Sequence, residues 1–273
     1  MPVPAKILLI LGVALISASA QTQPRYTFAV ASVKSAQSAD LRGLTVGFQP
    51  GGRFTARMPL FLVIAMAYNV PFQSTRLSGG PDWLRTEPFD IQAAPDPVAF
   101  PPNLSVSGRR ERQRAMLRAL LVDRFHLVVR TETREMPVYA EVVNKGGLKL
   151  AQSTIAEKDC DESTCHTFTG GRGRGMHSPA AGLSDLALWV SNWTDRPVID
   201  QTGVKGLFRI DTKPWIALDS KPPAPGEKGE DGSEIADLST IFTVFTDMGL
   251  KLEPRKAPIE TYTIEKVERP TAN

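Results

Sequence analysis

Leu60-Phe61-Leu62-Val63-Ile64-Ala65-Met66-Ala67 and Leu183-Ser184-Asp185-Leu186-Ala187-Leu188-Trp189-Val190 are the two stretches whose reading decides the fold. Leu60, Val63, Ile64 and Ala67 recur at helical spacing, and Leu183, Leu186, Ala187 and Val190 repeat that stripe about 120 residues later. Further matches follow in the same order. Phe89-Asp90-Ile91 answers to Phe208-Arg209-Ile210, Leu127-Val128-Val129 to Leu250-Lys251-Leu252, and the β-rich run 137–143 to 258–264. The offset between matched positions drifts by only a few residues, as small loop insertions produce. We therefore expect an α+β protein of two tandem pseudo-repeat lobes, each about β-α-β-α-β-β with two helices packed on a small sheet.

The chain opens on a leader. Lys6, the apolar run 7–16 and the small-x-small Ala18-Ser19-Ala20 stand in the order a signal peptidase reads. Residues 1–20 are thus expected to be a signal peptide, 21–149 a first lobe, 150–171 a connector with the cysteine pair, and 172–273 a second lobe. A Pro/Gly-rich polar run makes 219–233 a flexible insertion in that second lobe. No later segment approaches the roughly eighteen apolar residues a membrane helix needs, so no transmembrane span is expected in the mature chain. The product is then exported, periplasmic or extracellular.

An oxidising compartment makes a disulfide the default for the two cysteines, Cys160 and Cys165. The ring is small, and the chain-entropy contribution is about 2 kcal/mol. At 42% hydrophobic and 22% charged the composition is that of an ordinary globular protein. A net charge of +3, one unit of which lies in the leader, is too small to call for a nucleic-acid partner.

Local signals fill in the elements. Residues 28–33 alternate as a strand, and 53–56 form a short strand entering a helix whose first turn takes Pro59 and which stops near Tyr68, before Pro71. A strand is expected at 89–93 and a helix at 109–124 with Met116, Leu117, Leu120 and Leu121 on one face. Residues 125–131 and 138–143 then read as a hairpin. In the second half we expect a helix at 183–193, strands at 197–200 and 207–211, a helix at 235–248 capped by Gly249, and a closing hairpin that ends near Val267.

Leu77-Ser78-Gly79-Gly80-Pro81-Asp82-Trp83-Leu84, Leu120-Leu121-Val122-Asp123-Arg124-Phe125 and Arg196-Pro197-Val198-Ile199-Asp200-Gln201-Thr202-Gly203-Val204 resemble motifs of a family of exported "soil-associated" bacterial proteins, uncharacterised and abundant in acidobacterial genomes. The resemblance runs from Phe28 to about Pro270. It implies no activity and no catalytic residues. Some relatives carry the module beside a BlaR-type membrane metallopeptidase domain, which implies sensing at the cell envelope. In element order, each repeat is also similar to the short domain at the N-terminus of secretins and TonB-dependent transducers.

Catalytic chemistry finds little to stand on. No GxSxG accompanies the three histidines, His126, His166 and His177, and His126 reads as a surface residue at a helix-to-strand junction. Cys160, Cys165, His166 and His177 form C-x4-C-H-x10-H, which matches no familiar zinc spacing, so no metal and no cofactor are expected. Asp82, Asp90 and Asp200 are candidate carboxylates, but Asp82 and Asp200 sit where turns use a side chain to cap amides. Arg109, Arg110, Arg112, Arg114 and Arg118 line the polar side of a helix, either as a solvated face or for attachment to an anionic surface. The reading is a non-enzymatic envelope module that binds an envelope protein, a peptide or a wall component, with Trp83, Asp82 and Asp200 as its possible binding surface. The alternative is an envelope hydrolase with a site in the groove between lobes.

Overall fold

The first part of the chain runs β1 (Phe28–Ser35), β2 (Thr45–Phe48), β3 (Phe54–Pro59), α1 (Leu60–Ala67), β4 (Leu77–Gly79), α2 (Trp83–Thr86), β5 (Pro88–Pro95), α3 (Val106–Phe125) and β6 (Val128–Val143). The second part runs β7 (Thr169–Gly171), β8 (Gly175–Ala181), α4 (Leu183–Val190), β9 (Val198–Asp200), β10 (Phe208–Asp211), β11 (Trp215–Ile216), β12 (Ser239–Thr240), α5 (Ile241–Asp247) and β13 (Leu250–Lys266). This computed structural model describes residues 26–36, 45–101, 104–171, 173–216 and 239–270. The expected leader at 1–20 and insertion at 219–233 lie outside the described residues. What is described is mixed α+β, with several small sheets, five helices and no closed barrel.

α1, α3 and α4 form where their stripes predict. α5 starts only at Ile241, behind strand β12 at 239–240 of the expected helix, whose residues 235–238 lie outside the described ones. The short α2 was not expected. α1 is apolar throughout and buries Leu60, Val63, Ile64, Ala65 and Ala67. Pro59 is the last residue of β3 and stands just before the helix, one position earlier than expected. α3 starts before residue 109 because Ser105 caps it, its Oγ accepting from the Gly108 N–H at 3.1 Å. Both α3 and α5 are followed by a left-handed residue, His126 (φ 50°) and Gly249 (φ 77°). At Gly249 a Cβ would lie 2.1 Å from the Gly147 carbonyl oxygen, so glycine is required there.

The expected hairpins are absent. Residues 128–143 form one strand and 250–266 another, and the two pair with each other, antiparallel, from Leu250↔Val143 to Lys266↔Val128. The prolines of the two long strands are compatible with this ladder. Tyr139 donates its N–H outward to Pro197 O at 2.8 Å, and Tyr262 donates outward to Arg76 O at 2.7 Å. In β6 the odd positions and in β13 the even ones therefore turn their N–H away from the partner strand. Pro137, Pro254 and Pro258 all occupy that phase, where a missing donor breaks no bond between the two long strands.

The edges of this sheet are exchanged between the two parts of the chain. Its order is β4-β13-β6-β9. β4 lies parallel to β13, with Leu77 beside Tyr262, and β9 lies parallel to β6, with Val198 beside Tyr139. Each core accordingly takes side chains from the far part of the chain. One core packs α1, α3, Phe54 and Phe89 with Tyr262 and Ile264; the other packs α4, α5, Phe208 and Trp215 with Tyr139. Two further sheets, β1-β5-β3-β2 and β10-β8-β7, are antiparallel and supply buried side chains to the respective cores.

Candidate functional site

Where the two parts meet, a cleft of about 670 Å³ opens between the turn after α1, the first turns of α3, the segment after the cysteine pair and the outer side of α4. Asn69 turns the chain after α1 in the left-handed region (φ 54°), which brings Val70, Pro71 and Phe72 to the cleft wall. At one end the Phe72 N–H donates to Asn192 Oδ1 at 3.2 Å and ties the two walls together. Phe168 stacks on Trp189, with ring centroids 5.5 Å apart and planes 16° from parallel. Trp189 meets Trp193 edge-on, and Trp193 meets the buried Trp215 in the same way. This wall is aromatic and stiff.

The opposite wall is polar, and its groups are tied down. Arg110 donates to the carbonyl oxygens of His166 (2.6 Å) and Cys165 (3.0 Å). Burial pulls its pKa below the ordinary arginine value, while Asp185 and Glu162 act in the opposite direction. Gln113, nearly fully buried, donates to Glu162 Oε1 at 2.7 Å. Desolvation raises the Glu111 carboxyl, but hydrogen bonds from Arg114 and Arg118 outweigh it and hold that pKa below the usual value.

His166 stands at the centre in a left-handed conformation (φ 56°), its N–H donating to Ala180 O at 2.7 Å. Nδ1 lies 2.7 Å from Asp185 Oδ2 and Nε2 lies 3.1 Å from Glu157 Oε1. Asp185 is fixed in turn, accepting the Gly182 N–H at 2.8 Å as α4 begins. Both ring nitrogens thus face carboxylates, and neither faces a hydroxyl or thiol that a base would activate.

The residues expected as a binding surface do not meet in this cleft. Asp82 precedes the four-residue α2 with helical dihedrals (φ −61°, ψ −31°) and makes no side-chain cap, contrary to the expected capping role. A carboxylate caps from an extended residue, and Asp82 is not one. Trp83 packs edge-on against Phe89 and lies under the Arg269 guanidinium at 4.8 Å. Asp200 does form the expected turn, its Oδ1 accepting from the Thr202 N–H (2.9 Å) and hydroxyl (2.6 Å).

Asp200 also lies far from Asp82 along the long strands. It is in register with Glu141, opposite Leu252, whereas Gly79, just before Asp82, is in register with Ile264. The span of β13 from Leu252 to Ile264 is about 40 Å of extended chain. The histidines scatter as well. His126 sits 3.2 Å from Glu268 on the surface and His177 sits 2.7 Å from Asp211.

Three features escaped the sequence reading. The arginines of α3 are neither a solvated face nor a free cationic surface. Arg110 clamps the connector, Arg112 bonds Ala99 O, and Arg118 bonds Ala67 O at 2.8 Å and Glu111 at 3.1 Å. Sequence spacing presents His166 only as a triad or zinc residue, although it follows Cys165 directly in the chain. The third feature is Glu141, fully buried in β6, with no hydrogen-bond partner for either carboxyl oxygen among the described residues. Burial first, and Asp200 second, raise its pKa well above the ordinary 4.5.

The Cys160–Cys165 disulfide is present, with its Cα atoms 5.5 Å apart. No described helix is long and apolar enough to cross a membrane. No curated protein and no solved structure matches the chain. A family model does match, over residues 62–267, and by that match the chain belongs to the family described as "Protein of unknown function (DUF3738)".

Proposed function

We propose that this protein is an exported, non-enzymatic envelope module that binds a peptide, a partner-protein segment or a wall component in the cleft between its two parts. The observation that carries the reading is a cleft of about 670 Å³ with an aromatic wall facing polar groups already held in place. Such pre-set geometry favours binding, because little side-chain freedom is lost when a ligand enters. The disulfide fits export to an oxidising compartment. The sequence resemblance to soil-associated envelope modules, some of which carry metallopeptidase domains, fits a sensory use of the cleft.

The same proposal includes an ancestral duplication, with lobes at 21–149 and 172–273 around a connector at 150–171. Two correspondences support it. Tyr139 and Tyr262 each receive a short parallel edge strand, and His126 and Gly249 each end a helix in the left-handed region just before a long strand.

The test uses the mature protein and a cleft-blocked variant, Leu188→Arg, immobilised side by side and exposed to envelope extract, wall fragments and peptides. We expect a ligand retained by the parent and lost by the variant, with quenching of tryptophan fluorescence on binding. Equal retention by both proteins would refute the cleft as the site. The His166–Asp185 pair is the one observation that favours the hydrolase reading. Ester or amide turnover that disappears in His166→Asn would establish it instead.

A further inference from the structure

Around the disulfide, side chains of a different chemistry converge. One ligand atom each from Glu157, Cys160 and His166 lies within 4.8 Å of the other two. Cys165 Sγ is bonded to Cys160 Sγ, so a fourth donor adjoins the same point. We propose that reduction of the Cys160–Cys165 disulfide turns this corner of the connector into a site for a thiophilic divalent cation of the zinc type. Its ligands are both sulfurs, His166 Nε2 and the Glu157 carboxylate.

Three observations carry this. First, the separations suit one tetrahedral ion. Nitrogen and oxygen ligands about 2.0–2.1 Å from zinc stand about 3.3 Å apart, and His166 Nε2 lies 3.1 Å from Glu157 Oε1. Two thiolate sulfurs on one tetrahedral zinc stand about 3.8 Å apart, so the S–S bond must first be broken. Second, the outer shell already exists. A metal-bound histidine as a rule gives its other N–H to a carboxylate, and His166 Nδ1 has Asp185 at 2.7 Å, itself anchored by the Gly182 N–H. Third, the Arg110 guanidinium holds the Cys165 and His166 carbonyls, which fixes the backbone that carries two of the ligands.

The disulfide is the gate. Cys165 is fully buried and Cys160 is not, so a dithiol reductant attacks Cys160 Sγ. The S–S bond breaks, and Cys165 leaves as a thiolate that takes up a proton. The reductant's second thiol then displaces Cys160 and closes the reductant's own disulfide. Two electrons and two protons enter the protein, and the cation later releases the thiol protons to solvent. This inference does not rest on ligand binding in the cleft, which belongs to the oxidised protein.

The experiment is a cobalt titration of the whole mature chain, oxidised and after reduction with a phosphine that does not chelate metal. The reduced protein is expected to bind one Co²⁺ per chain, with thiolate-to-cobalt charge-transfer absorption and tetrahedral bands that zinc then bleaches. The oxidised protein shows neither. Glu157→Gln, at an exposed position, weakens binding, and Asp185→Asn weakens it by about 10–100-fold. His166→Asn removes it; asparagine is chosen because it tolerates the left-handed backbone. Absence of charge-transfer absorption in the reduced protein, or unchanged affinity in His166→Asn, overturns the proposal. Should reduction loosen the fold, zinc must restore the native circular dichroism, and failure to do so overturns it equally.

Discussion

Replacing Glu141 by leucine is expected to stabilise the protein, and by an amount that depends on pH. The side chain shares a sheet face with Tyr139, which belongs to the second core, and it lies opposite Leu252 of the same core. Its carboxyl is fully buried and without a hydrogen-bond partner among the described residues. A buried polar group in that state costs about 1–3 kcal/mol, and leucine removes the cost at nearly the same volume. A second contribution comes from ionisation. The folded-state pKa is raised above the unfolded one, chiefly by burial and then by Asp200. Between the two values the folded chain holds a proton that the unfolded chain has lost, so stability falls as pH rises, by about 1.4 kcal/mol per pH unit. Below the unfolded pKa no such loss exists, and above the folded pKa it is complete. Urea unfolding of parent and Glu141→Leu at pH 4, 5, 6 and 7 measures both parts. The variant should be modestly more stable at pH 4, with a margin that widens as pH rises. A margin independent of pH, or a variant less stable throughout, would refute the argument.

Gly249→Ala should destabilise by more than the roughly 1–2 kcal/mol of a left-handed alanine, because its Cβ also meets the Gly147 carbonyl. At the corresponding cap of α3, His126→Gly should leave stability unchanged or raise it by up to about 1 kcal/mol, since the left-handed strain is relieved and only a surface contact with Glu268 is lost. The same urea titrations separate the two. Arg110→Met should cost about 1.5–3 kcal/mol, as two carbonyls of the connector lose a charged donor. Proteolysis should then cut the connector faster than in the parent.

The helical stripes were legible because a helix is decided within its own turn: Leu60, Val63, Ile64 and Ala67 need no distant partner to declare a face. Gly249 and the Asp200–Thr202 turn were legible for the same reason. The long strands were not. A proline can donate nothing to a ladder, and only the partner's phase shows that Pro137, Pro254 and Pro258 stand where no donor is needed. The α3 arginines misled in another way. Their charge suggests solvent, whereas Arg110 and Arg118 reach carbonyls 51 to 56 residues distant in sequence. Glu141 carried a faint signal in its parity with Tyr139, yet a single glutamate in a strand ordinarily marks the wet side.

The exchanged edge strands explain why a cleft between the two parts is held open in one shape. Separating the parts requires breaking the β4–β13 and β9–β6 ladders and withdrawing Tyr262 and Ile264 from one core and Tyr139 from the other. None of that happens without exposing buried apolar surface, so hinge opening competes with global unfolding and not with small thermal motion. The cleft walls therefore stand at a fixed separation, bridged at one end by Phe72 and Asn192 and at the other clamped by Arg110 on the connector. The element with a chemically breakable restraint is the connector, through its Cys160–Cys165 disulfide. It carries His166 into the cleft wall and is held by the disulfide, by Arg110, and by hydrogen bonds such as His166 N–H to Ala180 O and Gln113 to Glu162. In such a framework a chemical event at Cys160 and Cys165 reaches the cleft through the connector residues that line it, Glu162, His166, Thr167 and Phe168.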